Sequence, residues 1–259
     1  VDEVQKLVGR VVEFGEGRVV GDAPLGQVLS GLRAFRIDVE DTIANGVAPA
    51  IILGDLARYG NLVTRGPSDP ATPTLPGPIT SISQTNINLG QIKVAGVDLD
   101  VKYGLPLAGG RLTASLAGTY FSKYDVQNPD GTFDAQVDEA NTVTAGVVPR
   151  WRHYTSIDYA MGPWGFTLSQ NWQKGYKDLP ATTAGTPPRR VSAYELWDVQ
   201  ARYTGLKNLE LRAGIRNLFD KDPPYSNAGG QTSFQGGYDS GYADPRGRTY
   251  YAGLNYKFF

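Results

Sequence analysis

Arg248-Thr-Tyr-Tyr-Ala-Gly-Leu-Asn-Tyr-Lys-Phe-Phe259 decides the fold. Read two residues at a time, Tyr250, Ala252, Leu254, Tyr256 and Phe258 share one face of an extended strand, while Thr249, Tyr251, Gly253, Asn255 and Lys257 share the other. A tilted strand of about 9–11 residues crosses a bilayer, and aromatics bracket this apolar face at both ends. Such a strand suits the closing position of a membrane barrel, because an open edge in lipid leaves backbone N–H and C=O groups without partners. A soluble sandwich with one dry face fits these residues as well.

Seven further segments repeat the pattern. Phe35, Ile37 and Val39 alternate with Arg36, Asp38 and Glu40; Ala95, Val97, Leu99, Val101 and Tyr103 with Gly96, Asp98, Asp100 and Lys102. Leu112 to Tyr120, Thr155 to Tyr159, Trp164 to Ser169, Trp197 to Tyr203 and Leu209 to Arg216 behave alike. The connections discriminate between barrel and sandwich. Short turns rich in Gly, Pro and Asn (Gly104–Gly110, Gly162-Pro163, Thr204–Asn208) alternate with long polar stretches near 44–90, 125–150, 174–193 and 217–247. That rhythm is expected when one rim carries short periplasmic turns and the other long extracellular loops. Tyr103, Tyr120, Tyr159, Trp164, Trp172, Tyr203 and Tyr250 concentrate near strand ends, where interfacial girdles lie. The opposite faces carry too many Asp, Glu, Arg and Gln for a sandwich core. The expected class is therefore all-β, an antiparallel transmembrane β-barrel segment of about eight strands.

Composition agrees. Among 259 residues there are 32 Gly and 17 Pro, aromatics are 11%, and mean hydropathy is −0.31. No apolar run approaches the roughly 18 residues of a transmembrane helix, which leaves barrel strands untouched. A net charge of −1 with interspersed signs gives no nucleic-acid surface, and the absence of cysteine removes disulfides and thiolate chemistry. Residues 1–30 form a lead-in without clean alternation, in which Gly21–Ser30 suggests a short helix after Pro24 or an unordered approach; residues 31–259 form the barrel segment. Ile51–Arg58 has helical spacing and is expected as a short surface helix.

Several pieces also resemble a family. Asn217-Leu-Phe-Asp-Lys-Asp-Pro-Pro224 is similar to the penultimate-strand segment of TonB-dependent outer-membrane receptors, and Asp239 to Phe258 resembles their last loop and closing strand. Asn88-Leu-Gly90 followed by Ala95-Gly-Val-Asp-Leu-Asp100, Phe35–Ile43 and Pro149–Arg152 match recurring pieces of the same family. The resemblance covers about 35–259. It implies a barrel of about 22 strands with a plugged lumen in the outer membrane of a Gram-negative bacterium. It also implies active uptake of a scarce nutrient, a siderophore, carbohydrate or similar, with no cofactor. Implied partners are outer-membrane lipid, the barrel assembly machinery and, through a plug, an inner-membrane energising complex. No plug or energy-coupling box is recognisable here, so the chain reads as a C-terminal barrel portion not competent alone.

Candidate sites follow from the two faces. Asp98, Asp100, Lys102, Asp198, Arg202, Glu210, Arg212 and Arg216 are expected to face the lumen, lining a path or bracing a plug. Tyr225, Phe234, Tyr238 and Tyr242 lie in the long loop 217–247, where they either stack on a ligand or pack the loop on itself. Tyr256 and Phe258 are expected to serve as the outward aromatics read during assembly. The single histidine, His153, reads as a rim residue, because metal or acid–base work needs partners. Asn128, Asp130 and Asp134 offer oxygen ligands without a full Ca²⁺-loop pattern and read as a polar loop. No nucleophile–base–acid arrangement is visible, so the chain is not read as an enzyme. Two other functions compete: a self-contained eight-stranded anchor or adhesin, and a soluble carbohydrate-binding β-domain.

Overall fold

The structure, a computed structural model, describes residues 11–23, 26–44, 49–84, 87–88, 90–128, 131–140, 147–180, 189–227 and 236–258. In chain order its strands are β1 (Val11–Ala23), β2 (Gly26–Val39), β3 (Ile43–Ala44), β4 (Val63–Arg65), β5 (Ile79–Ile82), β6 (Ile87–Asn88), β7 (Ile92–Leu107) and β8 (Gly110–Gln127). They continue with β9 (Phe133–Ala135), β10 (Trp151–Met161), β11 (Trp164–Gln173), β12 (Tyr176–Lys177), β13 (Arg190–Val191), β14 (Tyr194–Leu206), β15 (Leu209–Arg216) and β16 (Thr249–Tyr256). One sheet runs in the order β1-β2-β7-β8-β10-β11-β14-β15-β16, with β9 beside β8. From β8 onward along that order each ladder is antiparallel.

The eight alternating segments of the sequence map onto strands of this sheet, with Glu40, Lys257 and Phe258 falling just outside them, and most strands extend beyond the segments. The turn expected over Gly104–Gly110 narrows to Ala108-Gly109, since β7 runs to Leu107 and β8 starts at Gly110. Ala108 and Gly109 take φ of 45° and 76°, the mirror-image turn whose twist matches paired strands. The final ladder stops at Tyr256 instead of reaching the terminal phenylalanines. Lys257 N–H then turns to the Asn208 carbonyl, 2.9 Å away. Phe259 lies outside the described residues.

The lead-in differs from expectation. The described parts of Gly21–Ser30 belong to β1 and β2, where the sequence suggested a short helix or an unordered approach. A ladder neighbour supplies backbone partners whatever the side-chain pattern, so a strand without clean alternation is still held. A lone turn of helix has no such support.

Two structural units divide the chain. Within Ile37–Lys93 of the smaller unit, α1 (Pro49–Gly54) and α2 (Leu56–Tyr59) cover the expected surface helix. Proline opens α1, where its missing N–H costs nothing. Ile52 and Tyr59 are buried there against Leu62, Val63 and Ile82, beside the β4–β5 hairpin. The larger unit, Val12–Arg36, Val94–Tyr124 and Ala135–Phe259, holds most of the sheet and the connections from Ala135 onward. Its buried apolar cluster sits at the long-connection rim, where Tyr176, Val191, Tyr242 and Ala243 of the connections meet Tyr194, the first residue of β14.

Candidate functional site: the polar face and its rim

Register sorts the side chains. Opposite Arg152, Tyr154, Ser156 and Asp158 of β10 stand Thr119, Ala117, Ser115 and Thr113 of β8, and Gln173, Asn171, Ser169 and Thr167 of β11. The row continues into Tyr194, Leu196, Asp198 and Gln200 of β14. Gln200 and Arg202 oppose Gly214 and Arg212 of β15, which oppose Tyr251 and Gly253 of β16. The other face carries Leu112, Ala114 and Leu116 beside Tyr159, Ile157 and Thr155, then Phe166 and Leu168, then Ala201 and Val199. Because side chains alternate with period two, one register places both sets at once.

The polar face is laced by short bonds. Thr167 donates to Asp158 at 2.6 Å, Ser156 donates to the same carboxylate at 2.8 Å, and Ser115 and Ser156 share a bond of 2.8 Å. Thr119 donates to Asp98 at 2.7 Å, which puts Asp98 on this face. Arg212 pairs with Glu210 at 2.8 Å, while Arg202 reaches Glu210 at 3.8 Å. The Arg216 guanidinium lies 5.4 Å from the Tyr251 ring, whose hydroxyl donates to Gln200 at 3.1 Å.

A cavity of about 1030 Å³ opens on this face near the long-connection rim. Asp98, Asp100, Arg152, Tyr154, Asn171 and Tyr194 line it from the sheet, and Tyr242 and Asp244 from the loop before β16. Arg152, Tyr154 and Asn171 contribute exposed side chains. The sequence reading missed these three because they sit inside plain alternation, where a wall residue and a cavity residue look alike. Lys102 is exposed and is not part of the lining.

Above the sheet the long connections interlock. Asn217 (φ 52°) receives its position from Asp198, whose carboxylate accepts the Asn217 N–H at 2.8 Å. The Asn217 side chain then accepts the Lys221 N–H at 2.7 Å and donates to the Lys221 carbonyl at 3.0 Å. Asp220 accepts the Arg248 N–H at 2.7 Å, and Arg248 Nε donates to the Leu218 carbonyl at 3.0 Å. The Asn217–Lys221 motif is thus a locked turn joining the end of β15 to the approach to β16. Asp198 therefore acts on this turn as well as belonging to the polar face.

Tyr176 donates to Ser226 at 3.0 Å, and Ser226 donates to Asp178 at 2.9 Å. Asp178 also accepts the Asn227 N–H at 2.9 Å. Tyr242, expected as a candidate ligand residue, is 6% exposed and donates to the Ser192 carbonyl at 3.0 Å. Gln173 Nε2 donates to the Tyr242 carbonyl. Burial pushes the phenols of Tyr176 and Tyr242 well above the ordinary tyrosine range, so both stay protonated. Asp138 joins two loops: it accepts the Arg150 N–H at 2.7 Å and pairs with Lys174 at 2.7 Å. Burial opposes its ionisation, yet the bonds from Lys174 and the Arg150 amide outweigh that and hold its carboxyl below the usual range.

The remaining candidates are dispersed. Tyr225 is 51% exposed, with the Arg189 guanidinium 4.3 Å from its ring centre. Tyr238 is half-buried, and Phe234 lies outside the described residues. Asn128 spends its amide on Thr132 Oγ1 at 3.1 Å, and Asp130 lies outside the described residues. Tyr256 and Phe258 form an edge-to-face pair at 5.1 Å, with Phe258 80% exposed. His153 lies on the apolar face, near-parallel to Trp172.

A sheet with one apolar face, one hydrogen-bonded polar face and alternating short and long connections is the wall of an outer-membrane-type β-barrel. Residues 23–218 match the family model described as TonB dependent receptor-like, beta-barrel. The chain belongs to the TonB-dependent receptor family, whose members reside in the outer membrane of Gram-negative bacteria. Among solved structures it is similar to a mutant of the ferric enterobactin receptor from Pseudomonas aeruginosa, with 22% identity, 96% of this chain and 31% of that chain covered, and a TM-score of 0.58. The siderophore receptor PirA from Acinetobacter baumannii gives 20% identity, 96% and 32% coverage and a TM-score of 0.55. The FrpB iron transporter from Neisseria meningitidis gives 13%, 92% and 30%, with a TM-score of 0.53. The chain spans about a third of the length of these receptors. No curated protein matches it.

Proposed function

We propose that this chain supplies part of the wall of an outer-membrane receptor that takes up a scarce small nutrient, with energy delivered from the inner membrane through a plug. The observation that carries this reading is the register, which gives the sheet an apolar face for lipid and a polar face with a cavity near the long-connection rim. On this reading Asp98, Asp100, Lys102, Asp198, Arg202, Glu210, Arg212 and Arg216 face the lumen. Tyr256 and Phe258 present outward aromatics to the assembly machinery. The names of two neighbours, a ferric enterobactin receptor and a siderophore receptor, make an iron chelate the first cargo class to test.

The sheet order ends at β1 and β16, with no ladder joining them among the described residues. Open edges in hydrocarbon cost several kcal/mol per unsatisfied backbone group, about the scale of a lost buried hydrogen bond repeated along the strand. On this reading the wall works together with further strands, which the chain's coverage of about a third of its structural neighbours supports. Ferric-siderophore uptake by energised cells tests the proposal. Arg152→Ala with Tyr154→Ala in the complete receptor should lower uptake at unchanged surface level, and cells making only these 259 residues should show none. Unchanged uptake in the double variant, or energised accumulation with the short chain alone, would contradict it.

A further inference from the structure

On the apolar face, near the long-connection rim, four side chains on three adjacent strands break the apolar pattern. Trp151 Nε1–H donates to His153 Nδ1 at 2.9 Å. With Nδ1 accepting, the imidazole N–H sits on Nε2, which lies 3.4 Å from Gln170 Oε1. Gln170 Nε2 donates in turn to Glu195 Oε2 at 2.7 Å. The donors run one way, from Trp151 to His153 to Gln170 to Glu195, and the chain ends on an exposed carboxylate whose remaining lone pairs are free to accept.

The same residues carry an aromatic surface. His153 lies near-parallel to Trp172, with ring centres 5.5 Å apart, and Trp151 lies 5.9 Å from His153. Trp151 rests directly over Gly118, where an added Cβ would collide with the indole. An interfacial tryptophan ordinarily keeps its N–H for water or headgroups, whereas Trp151 commits its own to the network. Below, Leu168 stands four residues from Trp172 on the same face of β11, about 13 Å along a strand. On the reading in which Leu168 meets the hydrocarbon, that distance carries the surface toward the headgroup boundary.

We propose that Trp151, His153, Trp172, Gln170 and Glu195 form a site for the sugar headgroup of a glycolipid in the outer leaflet. The apolar C–H face of a pyranose fits the indole surface, and its hydroxyls donate to Glu195. The carboxylate, the only charge among these residues, disfavours phosphate and favours a neutral donor-bearing headgroup. The proposal rests on the reading above, in which the apolar face meets lipid.

The complete receptor is placed in phosphatidylethanolamine nanodiscs doped with a neutral glucosyl diacylglycerol or with anionic phosphatidylglycerol, and retained lipid is counted by native mass spectrometry. The glucosyl lipid should be retained about two- to tenfold over phosphatidylethanolamine, the worth of one aromatic contact. Trp172→Ala and Glu195→Gln should each abolish that preference without changing heat-modifiable migration. Equal retention in wild type and both variants, preference for the phosphate-bearing lipid, or displacement by free glucose would overturn the proposal. Quenching of tryptophan by brominated acyl chains reads the orientation separately: without it, the lipid-facing assignment falls, and this proposal with it.

Discussion

The wall and the interlocked connections above it are held by different physics. In the wall, backbone ladders fix position while the side chains of the apolar face remain open: Leu254 is 72% exposed and Phe166 46%. Among the described residues nothing covers these side chains, so on the proposed reading the stability of that face is a property of the lipid around it. The connections do the opposite. They bury a small cluster around Tyr176 and Tyr242 and hold it with side-chain bonds spanning some fifty residues or more, such as Tyr176 to Ser226 and Tyr242 to Ser192. The apolar face of the wall asks chiefly for apolar side chains, with Gly118 beneath Trp151 an exception, whereas the connections depend on particular polar atoms.

The largest effect expected is on assembly. Deleting Phe258 and Phe259 from the complete receptor should strand it in the periplasm, read by fractionation; normal surface levels would contradict the assembly role. Next comes the face contrast. Val199→Arg or Leu254→Arg should destabilise the inserted barrel by about 2–4 kcal/mol near midplane, with Asn255→Arg costing much less. Equal penalties in a vesicle unfolding titration would break the register. In the connections, Asn217→Ala removes two side-chain bonds and strains a positive φ. It should cost about 2 kcal/mol locally. Tyr176→Phe removes the hydroxyl that donates to Ser226 and should cost about 1 kcal/mol, seen as faster amide exchange around Asn227.

Asp138 adds a pH dependence. Its folded pKa is lowered, so its contribution is fully present above the unfolded value of 3.8 and is lost as pH falls through the folded value. Amide exchange of Arg150, whose N–H it holds, should therefore rise only below about pH 4, and Asp138→Asn should remove that step. The smallest effect is expected for Arg246→Ala, whose ion pair with Asp244 is exposed at the surface. No measurable change in unfolding is anticipated, and a clear loss would show that the last loop is held differently.

The contrast also explains what the sequence made legible. Alternation is a local signal, so the wall from β7 to β16 and the side-chain sorting at Asp198, Arg202, Glu210 and Arg212 could be read directly. β1 could not, because its place comes from pairing with β2 and not from its own pattern. The connections were opaque for a third reason. An aromatic in a polar loop reads the same whether it stacks on a cargo or closes a small core, and Tyr242 closes one. Asp138, Asp178 and Ser226 carry no local signature, since their partners lie far away in sequence.

The central claim is the assignment of the two faces, and because these 259 residues contain no cysteine, a label introduced among them reports a single position. Single cysteines placed in turn at positions 164–173 of β11 in the membrane-inserted receptor can be probed with a water-soluble thiol reagent and a lipid-borne quencher. Positions 165, 167, 169 and 171 should react from water, while 164, 166 and 168 should be reached from lipid, with 170 and 172 marking the headgroup boundary. A flat profile, or water reactivity at 166 and 168 with lipid quenching at 167 and 169, would contradict the wall described for this chain.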